Sequence, residues 1–269
     1  MANSFTFGTT SVSSATYRLT VLDDAEFPLL ASPRVFTREA AQGFGGASRY
    51  GGLSPLTIPI SVVVSGDDPA DLWTKLDALK TLLDPSAGEQ NLYLDWVPNR
   101  YWKAMLVSEI SMPSYGAVHK KFQLVFRASD PRAYSTTARS TPNFTISSDP
   151  DTMTIEAAAV VAGNTDADCV WIIDNTSGGA VTSLTLNNTT KVESVTWTGS
   201  LADTNWLRID TARGVIEKTV DDGANYTDAM SGVSGTFVLP TLKAGSSNSV
   251  TISGFSGATV GLTYTARYL

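Results

Sequence analysis

The chain has one cysteine, Cys169, and one histidine, His119, in 269 residues. A lone cysteine excludes an intrachain disulfide. In DCVWIID (Asp168–Asp174) it reads as a small buried strand residue. One histidine with one cysteine also excludes a zinc site of ordinary ligands. Nucleophilic catalysis needs a nucleophile, a base and a group that orients the base. No Gly-x-Ser-x-Gly string occurs, and Gly46-Ala47-Ser48-Arg49-Tyr50-Gly51 is one residue too long. His119 lies beside Lys120 and Lys121 at a strand start, which marks it as a surface residue near a turn.

Long apolar runs are absent as well. Ile60–Val64 and Ala157–Ala162 are far too short to span a bilayer. The N-terminal MANSFTFGTTSVSS carries no apolar signal core, so synthesis in a cytoplasm without membrane insertion is expected. The Asn-x-Ser/Thr strings at Asn143, Asn175, Asn187, Asn188 and Asn225 then mark only polar turns. GFGGASRYGG is glycine-rich but has neither the spacing nor the Lys-Ser/Thr end of a phosphate-binding loop. The oxygen-rich strings Asp221-Asp222-Gly223 and Asn164–Asp168 lack calcium-loop spacing and read as turns. A glycosidase would need two carboxylates facing each other across a cleft, and no pattern identifies such a pair. No metal, no cofactor and no enzymatic activity are expected.

What the chain does have is β-pattern. Charged residues make up only 17%, hydrophobic residues 42%, and mean hydropathy is zero, with Ser, Thr, Ala and Gly abundant. Leu56–Gly66 (LTIPISVVVSG) is a strand. A helix follows at about 68–84, with Asp68 as N-cap and Pro69 at the first helical position. Leu72, Leu76, Leu79 and Leu83 form its apolar stripe, and Pro85 ends it. Three alternating runs come next. Leu92, Leu94 and Trp96 share one face of the first, and Trp102, Ala104 and Leu106 one face of the second. Phe122, Leu124 and Phe126 share one face of the third. Pro98-Asn99-Arg100 and Met112–Gly116 are the turns between them. The leucine stripe is the natural cover for that common face.

This ordered set resembles the distal tail protein of long-tailed, non-contractile bacteriophages. The resemblance rests on LTIPISVVVSG, the Leu-rich helix, YLDWVPNRYWKAMLVSEI and FQLVFRASDPRAYS, with Asn99-Arg100-Tyr101 opening a strand and Asp130-Pro131 leading to Tyr134. The Gly-rich loop Gly43–Leu53 agrees in character and position. It is strong over the first half and looser over the second. It implies a virion tail-tip protein forming a homohexameric ring. That ring would join the tail tube protein to the tail-hub protein, and could carry receptor-binding or side-tail proteins. DNA would pass through it without specific binding. Arg38, Phe44, Arg49 and Tyr50 are candidate contacts from the Gly-rich loop to a neighbouring subunit.

Residues 135–150 are rich in Ser, Thr, Pro and Asp, and read as a linker. That boundary divides the chain into 1–140, containing the one helix, and 141–269, and the resemblance implies a ring-forming, tail-tube-like split β-barrel for the first and a peripheral sandwich for the second. Charge divides nearby. Residues 1–142 hold 13 basic and 13 acidic side chains, and 143–269 hold 6 and 13, so the whole net charge of −7 sits in the second half. That half is all β by pattern, with strands expected at MTIEAAAVV, CVWIIDN, VTSLTLN, KVESVTWTG, WLRIDTA, GVIEKTV, TFVLP, NSVTISGF and VGLTYTARYL. Such spacing suggests a jelly-roll sandwich, and the resemblance implies a galectin-like one.

Three other readings stand beside the ring. One is a carbohydrate-binding module for host adsorption, using Trp197 or Trp206. Against it, each tryptophan in these alternating strands has the core as its default home. The second is a tail-borne hydrolase, which the single histidine disfavours. The third is a tail-tube protein, which the chain length and the second domain disfavour.

Overall fold

The structure is a computed structural model that describes residues 4–22, 33–38, 47–108, 116–155, 163–175, 179–219, 225–235 and 237–269. The chain divides into two compact units, Met1–Tyr134 with Leu269, and Ser135–Tyr268.

The first unit is organised by its alternating strands. β1 (Phe5–Phe7), β2 (Thr10–Ser11) and β3 (Leu19–Val21) precede a hairpin of β4 (Pro33–Arg38) and β5 (Ala47–Leu53). β6 (Leu56–Ser65) places Leu56, Ile58, Ile60, Val62 and Val64 inward, all buried. α1 (Pro69–Leu82) follows, then β7 (Gln90–Leu94), β8 (Arg100–Leu106) and β9 (His119–Ala128). These strands pair antiparallel, in the orders β2–β1–β7–β8 and β8–β9–β6–β3.

Pro59 sits inside β6, opposite Val125. Val125 turns its main-chain groups toward β8: its carbonyl accepts from Val107 N at 2.9 Å and its N–H donates to Ser108 Oγ at 3.1 Å. Pro59 nitrogen therefore faces away from β9, and its missing N–H removes no rung of that ladder.

The helix starts where the sequence places it. Asp68 accepts from Asp71 N at 2.8 Å, and Asp71 in turn accepts from Asp67 N at 2.8 Å. These bonds satisfy exposed N–H groups and put negative charge at the positive end of the helix. Leu72, Leu76 and Leu79 are buried and α1 lies against β6, as the leucine stripe requires. Asn99 adopts φ 64°, which an asparagine tolerates, and so completes the turn into β8.

The second unit is a two-layer sandwich. β10 (Ala133–Thr145) leads in. β11 (Asp151–Ile155), β12 (Cys169–Asn175), β13 (Val181–Asn188), β14 (Glu193–Leu201), β15 (Asn205–Asp210) and β16 (Val215–Thr219) follow. β17 (Tyr226–Asp228), β18 (Val233–Ser234), β19 (Asn248–Ser253) and β20 (Thr259–Tyr268) complete it. One sheet runs β17–β16–β15–β12–β20–β10, the other β11–β19–β13–β14–β18. Trp171, Ile173, Leu207, Ile209, Val260 and Leu262 from the first meet Leu184, Leu186, Val195, Trp197, Val250 and Ile252 from the second in one buried core. Two buried asparagines, Asn188 and Asn248, pair at the strand ends. Asn188 Nδ2 donates to Asn248 Oδ1 at 3.1 Å, and Asn248 Oδ1 also accepts from Lys243 N at 2.9 Å. These bonds hold the segment around Lys243 to the strand ends.

Several expectations need correction. The stretch expected to be a linker at 135–150 begins as a strand, because β10 continues to Thr145. Ser, Thr and Pro suit it because most of its residues are exposed. The Gly-rich loop is a strand from Ala47 onward, paired with β4. Trp96 lies beyond the end of β7, in the turn that Val97 N closes on Leu94 O at 2.9 Å. Phe237–Pro240 are not a strand. There the Pro240 carbonyl accepts from Trp171 Nε1 at 3.0 Å instead of from a ladder neighbour. The residues expected as a turn at 112–115, as strand at 156–161 and as a hairpin turn at 222–223 lie outside the described residues.

Candidate functional site

Two of the strings that carried the resemblance, YLDWVPNRYWK and DPRAY, meet on one surface of the first unit. Asp130 opens a tight turn whose next residue is Pro131, a proline-friendly position. Its Oδ1 accepts from Arg132 N at 3.1 Å and Arg132 Nε at 2.8 Å. Its Oδ2 accepts from Arg132 Nη2 at 3.0 Å and Tyr134 OH at 2.7 Å. Burial alone would raise the carboxyl's pKa, but the bonds from Arg132 and Tyr134 outweigh it and hold it below the ordinary carboxylate range. The bidentate fork fixes the turn geometrically as well as electrostatically.

Tyr134 then stacks on Tyr101 at 5.5 Å between ring centres, inclined by 24°. Tyr101 meets its cross-strand partner Tyr93 at 5.2 Å. Lys103 Nζ lies 5.3 Å from the Tyr134 ring centre, in cation–π range. Burial, and to a lesser degree Tyr93, raises the pKa of Tyr101, so that phenol is protonated and neutral near pH 7. All three rings are partly exposed. Aromatic rings with polar tips, flanked by a fixed Arg–Asp fork, make a surface suited to protein packing. Sequence reading found Tyr101 and Tyr134 but not Tyr93 or Lys103. Register is what joins them, and register is invisible before the strands are paired.

The other predicted positions are scattered. Arg38 is in β4, where it pairs with Ala47, and Arg49 and Tyr50 are in β5, opposite Phe36 and Val35. They share one hairpin, while Phe44 lies outside the described residues. His119 Nδ1 sits 2.9 Å from Ser65 Oγ, its cross-strand partner, at an exposed strand start. Cys169 is buried, and burial pushes its thiol pKa far up, leaving an unreactive thiol.

The two tryptophans proposed for glycan contact part company. Trp197 is 2% exposed in the sandwich core, and its Nε1–H donates to Ala229 O at 3.0 Å. It cannot reach a ligand, because its place in β14 points it inward. Trp206 points outward from β15 and is partly exposed, beside a trough of about 370 Å3.

The acidic string at Asn164–Asp168 is occupied by cations of the chain itself. Asp168 pairs with Arg267, and Asp166 lies 2.9 Å from Lys191 Nζ, which also lies 2.8 Å from Glu193. Asp221 and Asp222 lie outside the described residues.

No known family profile and no curated protein matches the sequence. Solved structures do match the fold. The SPP1 Dit protein, presented as a paradigm of the hub adsorption apparatus in phages that infect Gram-positive bacteria, superposes with TM-score 0.75 at 14% identity over 100% of both chains. A chain of the phage P2 baseplate in its activated conformation with Ca gives 0.53 at 9% identity over 98% of each. The corresponding Sr form gives 0.51 at 8% identity over 98% of each. The chain therefore has the fold of phage hub and baseplate proteins, mainly β with one helix and a second all-β sandwich.

Proposed function

We propose that this chain is a structural component of a phage tail tip. Six copies close into a ring that joins the tail tube to the tail hub and the receptor-binding apparatus, and DNA passes through its centre. The first unit builds the ring and the acidic second unit faces outward. The β4–β5 hairpin, with Arg38, Arg49 and Tyr50, reaches the adjacent copy. The reading rests above all on the full-length agreement in fold with SPP1 Dit.

Two physical arguments support it. A conduit for DNA should not hold DNA, because phosphate contacts add over many sites. Residues 1–142, with balanced charge, meet that condition on average. Closed symmetry also covers sheet edges that a monomer would leave open to aggregation.

Negative-stain microscopy of the purified chain, alone and with its tail tube protein, tests the reading. A six-fold annulus is expected. Particles that stay monomeric at high concentration in both samples would overturn it. Deleting residues 43–52 should abolish the annulus, and unchanged assembly would remove the hairpin from the interface.

A further inference from the structure

The outer face of the larger sheet in the second unit carries an unassigned trough. Its composition follows from strand register. Trp206 on β15 lies opposite Asp174 on β12, and Asp174 lies opposite Thr259 on β20. One rung along, Ile172 lies opposite Gly261. Asn143 on β10 borders the same space. A Cβ on Gly261 would stand 2.9 Å from Asn143 Oδ1, so the absence of a side chain there is what gives the trough its floor. The volume, about 370 Å3, falls within the ordinary range of small-ligand sites, roughly 300–1,000 Å3.

We infer that this trough is a saccharide-binding site, with Trp206 as the stacking wall and Asp174 and Asn143 as hydroxyl partners, for neutral pyranose sugars of a cell surface. A pyranose presents an apolar C–H face and a rim of hydroxyls. A partly exposed indole beside a carboxylate and an amide complements both at once. A floor of Ile172 and Gly261 adds no charge and lets the ring settle against the sheet. The net charge of −7 in residues 143–269 disfavours polyanionic polymers, which selects the neutral class. The site stands on this unit alone and is independent of ring closure.

The test uses the full chain. Glucose, galactose, rhamnose and N-acetylglucosamine oligosaccharides, together with a polyanionic teichoic acid, are titrated and read by saturation-transfer NMR and calorimetry. At least one neutral oligosaccharide should bind saturably. Trp206→Ala and the trough-filling Gly261→Leu should each weaken it at least tenfold, with native circular dichroism retained. Trp73→Ala, which removes a 50% exposed tryptophan of α1, should change nothing. Three outcomes would overturn the site: no saturable neutral sugar, binding by the polyanion alone, or full binding in both Trp206→Ala and Gly261→Leu. Electron micrographs of the same samples report ring formation separately, so failure of the sugar site and failure of the ring are distinguishable.

Discussion

Replacing Trp197 by phenylalanine tests the core of the second unit quantitatively. The indole lies between two glycines. A Cβ on Gly199 would meet its Cζ2 at 2.4 Å and Cη2 at 2.7 Å, and a Cβ on Gly232 would meet Nε1 at 2.4 Å. Its Nε1–H donates to the Ala229 carbonyl, which also accepts from Gly232 N at 3.1 Å. Losing one of two donors should cost about 1 kcal/mol, because that carbonyl is not orphaned. Losing the outer part of the ring system should cost a further 1–2 kcal/mol, at roughly 0.8 per buried methylene equivalent. The sum, about 2–3 kcal/mol, corresponds to a fall in melting temperature of roughly 6–15 °C for a unit of this size. Trp197→Ala should cost more, about 3–5 kcal/mol. Trp206→Ala, on the outer face, should stay within about 1 kcal/mol. The sharper readout is a double-mutant cycle. Gly199→Ala alone should destabilise by about 1–3 kcal/mol through its clash with the ring. In the Trp197→Phe background most of that cost should vanish, since the atoms it strikes are gone. Calorimetry of the full chain measures all five variants. Additive Gly199→Ala and Trp197→Phe effects, or a Trp206→Ala loss equal to that of Trp197→Ala, would refute the packing described.

Other perturbations follow from the polar clusters. Asp130→Asn removes the charge-assisted fork to Arg132 and should cost about 1–3 kcal/mol, read by thermal melting. Asp130's pKa is lowered on folding, so its stabilisation is present above the ordinary carboxyl pKa of about 3.9 and lost as pH falls through the lower folded value. The acid-side drop in melting temperature should therefore be larger in the parent than in Asp130→Asn, and equal drops would show that the fork does not form. Lys191 bridges Asp166 and Glu193, and its side chain is only 16% exposed. Burial alone would lower the pKa of Lys191, but its two carboxylate partners outweigh it, so the net shift is upward. Its contribution is thus complete below the ordinary lysine value of about 10.4 and lost as pH rises through the folded one. Lys191→Met should melt lower at pH 7 and lose less on going to pH 11 than the parent does, as followed by circular dichroism.

How much of this could be read beforehand depended on whether the information was local. α1 was legible because its cap, its first-turn proline and its leucine spacing lie within one short segment. β12 was legible because Cys169, Trp171 and Ile173 alternate cleanly with half-exposed neighbours. β10 was not, because a strand whose residues mostly face solvent has the composition of a linker. Trp197 and Trp206 show the limit most plainly. Both occupy alternating strands, and residue type alone, which makes the core the default home of any tryptophan, treats them alike; only their strand neighbours tell them apart. Leu207 and Ile209 on one face of β15 turn Trp206 outward, while Val195 two residues earlier turns Trp197 inward. The tyrosine ladder required still more. Tyr93, Tyr101 and Tyr134 come from three strands, and the pairing of Tyr93 with Tyr101, the adjacency of β8 and β10 and the turn held by Asp130 bring the rings together. The Asp-Pro-Arg-Ala-Tyr string thus has a structural meaning that spacing alone could not supply. Asp130 locks the corner at which Tyr134 joins the ladder, and a change at either residue should be felt at the other.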